Sequence, residues 1–169
     1  MKYDLREKYI KTKNKMLAPK IEKVVVSVGT GSVKDEGQKE YIEKSLAMIT
    51  GQHPSKRAAK KSIASFKIRQ GVHIGYSVTI RGGMMYDFLN KMIYVAMPRK
   101  RDFRGLNLKS VDVAGNLTIG FKDHLVFPEM SGEDVRNSFG LSVTVVTTAG
   151  SRDEAIQFLT DLGFPFSKK

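Results

Sequence analysis

The sequence predicts an α+β fold: a single domain over residues 1–169, built as a mostly antiparallel sheet with helices packed on one face and a projecting basic loop. Three observations carry that reading. Runs of β-branched residues, IEKVVVSV at 21–28 and LSVTVVTT at 141–148, read as strands. Other segments repeat apolar residues at helical spacing, and the 41% apolar content of the 18.9 kDa chain is enough for one core. With helices on one face of the sheet, the other face is free to bind.

Taken in order, residues 1–17 set Tyr3, Leu5, Tyr9, Ile10, Met16 and Leu17 among cations, a loose amphipathic helix that Pro19 ends; a frayed tail is the alternative. Residues 21–28 form the first central strand and run into a turn at Gly29 and Gly31. The GTGSVKDEG segment lacks the Walker lysine spacing and the third glycine of a dinucleotide fingerprint, so it is a turn and not a nucleotide site. Residues 38–50 place Tyr41, Ile42, Leu46 and Ile49 on one helical face, with Gly51 where a C-terminal cap belongs. Residues 62–68 (SIASFKI) and 77–81 (SVTIR) read as paired strands, joined by the loop RQGVHIG, whose tip, Val72 to Ile74, lies between Gly71 and Gly75. Residues 84–97 form an apolar helix that Pro98 ends, and its methionines read as packing. Residues 111–121 read as a short hairpin turning at Gly115 and Asn116. Ser151 and Glu154 form a capping box for a final helix carrying Ile156, Phe158, Leu159 and Leu162.

Charge locates the functional surface. The chain carries +12, and residues 56–82 hold seven cations (Lys56, Arg57, Lys60, Lys61, Lys67, Arg69, Arg81) with no carboxylate. No Asp or Glu occurs anywhere in 44–86, whereas a solvated face mixes signs. Residues 1–110 net +15 and residues 111–169 net −3, so one end of the molecule faces a polyanion. A second basic segment follows Pro98, with Arg99, Lys100, Arg101, Arg104 and Lys109 against Asp102; guanidiniums suit phosphate and stacked bases, although a solvated loop is the alternative.

Catalysis is not signalled. His53, His73 and His124 share no metal-ligand spacing, the chain has no cysteine, and no carboxylate pair sits within the basic zone for a two-metal nuclease. The sequence therefore predicts no enzyme, no cofactor and no metal. The lack of cysteine fits a reducing cytoplasm, and the absence of an apolar leader or of a run near roughly 18 residues predicts a soluble protein without a membrane partner. A metal-dependent ribonuclease and a basic module for anionic membranes remain the rival classes.

The segments KVVVSVGTGSV (23–33), GQHPSKRAAKKSIASFKIRQGVHIGYSVTIRG (51–82), PRKRDFRGL (98–106), FPEM (127–130) and VTTA (146–149) together resemble the large-subunit ribosomal protein five family of the bacterial type, in collinear order over nearly the whole chain. The resemblance implies a cytoplasmic protein of the ribosomal central protuberance that binds 5S rRNA, helps attach it to 23S rRNA and reaches P-site tRNA. Neighbouring ribosomal proteins and a small-subunit head protein are implied partners.

By position, the family's 5S-binding surface falls on Ser27, Gln52, Phe66, Thr79 and Arg81, with Arg57, Lys60 and Lys61 supplying phosphate attraction beside them. Packing within the sheet is the alternative for Phe66 and Thr79. The tRNA-contacting loop falls on Arg69, Gln70, Gly71, Val72, His73, Ile74 and Gly75, and a further rRNA contact on Arg99, Lys100, Arg101 and Arg104. Two departures stand out: Ser27 replaces the family's usual Asn, and Val72-His73 replaces a usual Tyr-Pro. The loss of proline loosens the tip, and His73 is either a phosphate donor or an exposed bystander.

Overall fold

The structure, a computed structural model, describes residues 18–33, 35–132 and 137–167. The helix expected at 1–17 lies outside the described residues. β1 (Ile21–Gly29), β2 (Ser55–Ala58), β3 (His73–Ile80), β4 (Leu117–Phe121) and β5 (Leu141–Thr147) form one sheet in the order β2-β3-β1-β5-β4, every neighbouring pair antiparallel. Helices α1 (Glu36–Thr50), α2 (Gly82–Lys91) and α3 (Arg152–Asp161) complete the α+β architecture.

Strand alternation divides the sheet into a dry face and an open one. Val24, Val26 and Val28 of β1 are buried, as are Val78 and Ile80 of β3, Leu117 and Ile119 of β4, and Val143 and Val145 of β5. Each such side chain contributes roughly 1.5–3 kcal/mol when taken out of water. The same cluster contains Ile42, Leu46 and Ile49 from α1, Met85, Phe88 and Leu89 from α2, and Ala155, Phe158 and Leu159 from α3. All three helices therefore close over one face.

The helix boundaries follow local chemistry. The Asp35 side chain accepts from the Gly37 N–H at the start of α1, and Gly51, at φ 71°, ends the helix by donating to the Ala47 carbonyl. At α3 the Ser151 hydroxyl accepts from the Glu154 N–H while the Glu154 carboxylate accepts from the Gly150 N–H, so the predicted capping box forms with its return bond shifted by one residue. α2 continues beyond Lys91 as a wider π-helical segment, Met92–Ala96, which turns Met92, Ile93 and Ala96 into the core.

Three local expectations are corrected. Residues 62–68 are not a strand: Ala64–Phe66 form a 3-10 turn, Lys67 takes a left-handed φ of 53°, and Ile63 and Ile68 bridge one another. The partner of β3 is the preceding segment, β2. The alternation of SIASFKI had no core to face, since Ile63 and Phe66 are both exposed, and the chain uses these residues to reverse direction. The loop expected at 69–75 is shorter, because His73, Ile74 and Gly75 are the first residues of β3 and Gly75 pairs with Gly29 and Arg57, which leaves residues 69–72 as an exposed turn. Finally, the hairpin at 111–121 shrinks to a turn with a single Val111–Leu117 bridge, and β4 takes β5 as its partner.

Candidate nucleic-acid interface

Registers place the open-face residues in rows across the sheet. One row runs Ser55, Ser77, Ser27, Ser142, Gly120; the next runs Thr79, Val25, Thr144, Thr118. A third crosses Arg57, Gly75 and Gly29. Small and hydroxyl-bearing residues thus floor the open face. Neighbouring hydroxyls are tied together: Ser27 Oγ lies 2.8 Å from Ser142 Oγ, and Thr118 Oγ1 lies 3.1 Å from Thr144 Oγ1.

The motif responsible is local. Ser-Val-Thr followed by an aliphatic residue occurs at 77–80 and again at 142–145. In β3 and β5, the strands flanking β1, it sends both hydroxyls to the open face and both aliphatics to the core. Sequence reading took Ser27 and Thr79 but missed Ser77, Ser142, Thr144 and Thr118. Reading the period-2 alternation of both copies would have found Ser77, Ser142 and Thr144.

The cations are sorted by the same alternation. Lys56 is on the helix side of β2, where its Nζ is 3.3 Å from Glu43 Oε2. Glu43 also meets His53 at 3.5 Å and is hydrogen-bonded to Tyr76. Burial, and then the Glu43 charge, push the Tyr76 phenol above its ordinary value. Arg57 has the opposite parity, beside bare glycine backbone on the open face. Gly75 is required there: a Cβ would lie 2.6 Å from the Val28 carbonyl oxygen.

Around this floor stand the other predicted residues. Gln52, just past the α1 cap, reaches Met84 Sδ at 3.8 Å. Arg81 is exposed at the start of α2. Lys60 and Lys61 are exposed beyond β2, and Phe66 is 70% exposed on its 3-10 turn, which excludes packing within the sheet. Arg69, Gln70, Gly71, Val72 and His73 are exposed along the return limb, whose Gly71 N–H donates to the Ala59 carbonyl. Ile74 is half-buried and Gly75 buried within β3.

The second basic segment is tethered to the far edge. Lys100 donates to the Gly120 carbonyl at 2.9 Å and lies 5.8 Å from the Phe121 ring centre, while Arg99, Arg101 and Arg104 are exposed. That single bond sets the segment beside β4, opposite the Arg57 edge. The remaining histidine, His124, is buried, stacks 4.1 Å from Phe139 and is hydrogen-bonded to the Tyr41 hydroxyl. Among the described residues no group of His, Cys, Asp or Glu could hold a metal ion, and no helix is long and apolar enough to cross a membrane.

Comparison with known proteins covers almost the entire chain. Residues 14–69 match the family model described as Ribosomal protein L5, and residues 73–166 match that of the ribosomal L5P family C-terminus. The chain is 48% identical to the large ribosomal subunit protein uL5 of Lacticaseibacillus casei, over 92% of this chain and 87% of that one. It is 46% identical to the uL5 of Dictyoglomus turgidum and 43% to that of Streptococcus sanguinis, each over 97% of this chain and 98% of the relative. The two family models meet at residues 69–73, yet β1 of the first lies between β3 and β5 of the second.

Proposed function

Because the chain belongs to the ribosomal protein L5 family, we propose that it holds 5S rRNA on the open face of its sheet and helps fasten it to 23S rRNA in the central protuberance of the large ribosomal subunit. It is a cytoplasmic structural constituent of the ribosome, not an enzyme. The observation that carries the proposal is the floor of Ser27, Ser77, Thr79 and their neighbours, bordered by Arg57 and Arg81. Hydroxyls offer donors and acceptors to 2′-hydroxyls and base edges, and the arginines neutralise phosphate. Phe66, projecting from the turn beyond β2, supplies a ring on which a splayed base or a ribose packs. Gln52 extends the polar edge on the helix side.

Two further contacts complete the reading. The exposed return limb, Arg69 to His73, is directed at P-site tRNA, and the tethered segment Arg99 to Arg104 makes a further rRNA contact. Ribosomal proteins of the central protuberance and of the small-subunit head are its expected neighbours.

Titration with 5S rRNA in Mg²⁺ tests this, with RNA integrity followed in parallel. A stoichiometric complex with intact RNA is expected, and its affinity falls by about 10³ to 10⁵ between 50 and 200 mM salt if six to ten phosphates are neutralised. Arg81→Ala weakens it by roughly 1–3 kcal/mol. RNA cleavage, or affinity indifferent to salt, overturns the proposal.

A further inference from the structure

The floor does not stop at β1. Its rows continue through Ser142 and Thr144 of β5 to Gly120 and Thr118 of β4, residues that neither charge nor family resemblance singles out. We propose that this β5–β4 half is a second RNA-contact surface, which takes ribose and phosphate of the same RNA as it crosses the sheet from the Arg57 edge to the Lys100 edge. The inference rests on the open face being the 5S rRNA site.

Charge complementarity identifies the occupant. Among the described strand residues of open-face parity there is no carboxylate; Glu22, at the bulge that shifts the register of β1, is paired with Lys23 at 3.3 Å. Cations stand at both outer strands. Arg57 is on β2, and at β4 the Lys100 ammonium is fixed to the Gly120 carbonyl, with the exposed Arg99 and Arg101 on either side of Lys100 in the chain. Four strand spacings separate those edges, roughly 19 Å. A polyanion lying across the sheet therefore meets positive charge at each end and small hydroxyls between.

The hydroxyl chemistry fits ribose. Of the Thr118–Thr144 pair only one hydroxyl is needed as donor for their 3.1 Å contact, so the pair keeps one O–H and spare lone pairs. Ser142 Oγ lies 3.4 Å from the Ser27 carbonyl as well as 2.8 Å from Ser27 Oγ, so it spends its hydrogen inward and offers lone pairs outward. A 2′-hydroxyl both donates and accepts and is matched by this set. Nothing lies within 4 Å of where a Gly120 Cβ would sit, so a sugar–phosphate chain approaches the backbone unhindered.

The test compares Thr118→Val/Thr144→Val with Arg99→Gln/Arg101→Gln in the full chain, using 5S rRNA as the probe. The valine pair keeps volume and strand preference and removes only hydroxyls; the exposed Thr118→Val alone serves if the double variant folds poorly. The valine pair should weaken binding about five- to fifty-fold without changing its salt dependence. The glutamine pair should flatten the slope of log affinity against log salt by about 1.4–1.8. Wild-type affinity and slope in both, in a protein whose Arg81→Ala variant is weakened, would assign this half to some other occupant and overturn the inference alone. Failure of the wild type to bind 5S rRNA would overturn both readings.

Discussion

Lys56 Nζ lies 3.3 Å from Glu43 Oε2, whereas its neighbour Arg57 has the opposite strand parity and stands on the open face across from Gly75. Adjacent cations of one basic run thus have different work. One ties an edge strand to α1 and the other is available to a ligand. Arg57→Ala should weaken 5S rRNA binding by about 1–3 kcal/mol. Lys56→Ala should leave binding within about 0.5 kcal/mol of wild type and instead speed amide exchange in β2. Equal effects of both substitutions on affinity would contradict this division.

The Glu43–Tyr76 contact predicts a pH dependence. Burial first, and the Glu43 charge second, raise the Tyr76 phenol above its ordinary 10.0, with Lys56 opposing in part. The folded chain therefore keeps the phenol proton to higher pH than the unfolded chain. This contribution to stability is complete below about pH 10 and is lost as pH rises through the folded value. Denaturant unfolding at pH 9 and pH 11 should show a loss that Tyr76→Phe diminishes.

Phe66 separates stability from binding. At 70% exposure its ring contributes little to the core, so Phe66→Ala should shift the unfolding free energy by no more than about 0.5 kcal/mol. Affinity for 5S rRNA should nevertheless fall by about 1–3 kcal/mol, the worth of a stacked base. A melt and a titration on the same sample decide it.

Gly75→Ala acts on stability through the backbone. The added methyl would stand 2.6 Å from the Val28 carbonyl oxygen, which is backbone and cannot swing aside, so the β1–β3 ladder must shift. A cost of about 1–3 kcal/mol is expected in chemical denaturation.

The interleaved topology predicts one cooperative unit. Since β1 lies between β3 and β5, a chain of residues 73–166 alone would leave a gap at the sheet centre and expose Val78 and Val143. The full chain should unfold in one transition, and the fragment should lack native near-ultraviolet dichroism. A folded fragment would show two independent domains.

Much of this protein was legible in one dimension. The β-branched runs around Val26 and Val143, the Gly51 end of α1 and the Ser151 cap depend on neighbours a few residues away, and each formed close to where the sequence predicts it. The absence of carboxylates at 44–86 located the charged surface for the same reason, since composition is a local property. Tertiary structure decided the rest. SIASFKI alternates like a strand, but alternation yields a strand only where a core receives one face, and that depends on which segment β3 pairs with. The union of Ser77, Ser27 and Ser142 in one row, and of Lys100 with the Gly120 carbonyl, joins residues far apart in the chain through register, which no short window of sequence contains.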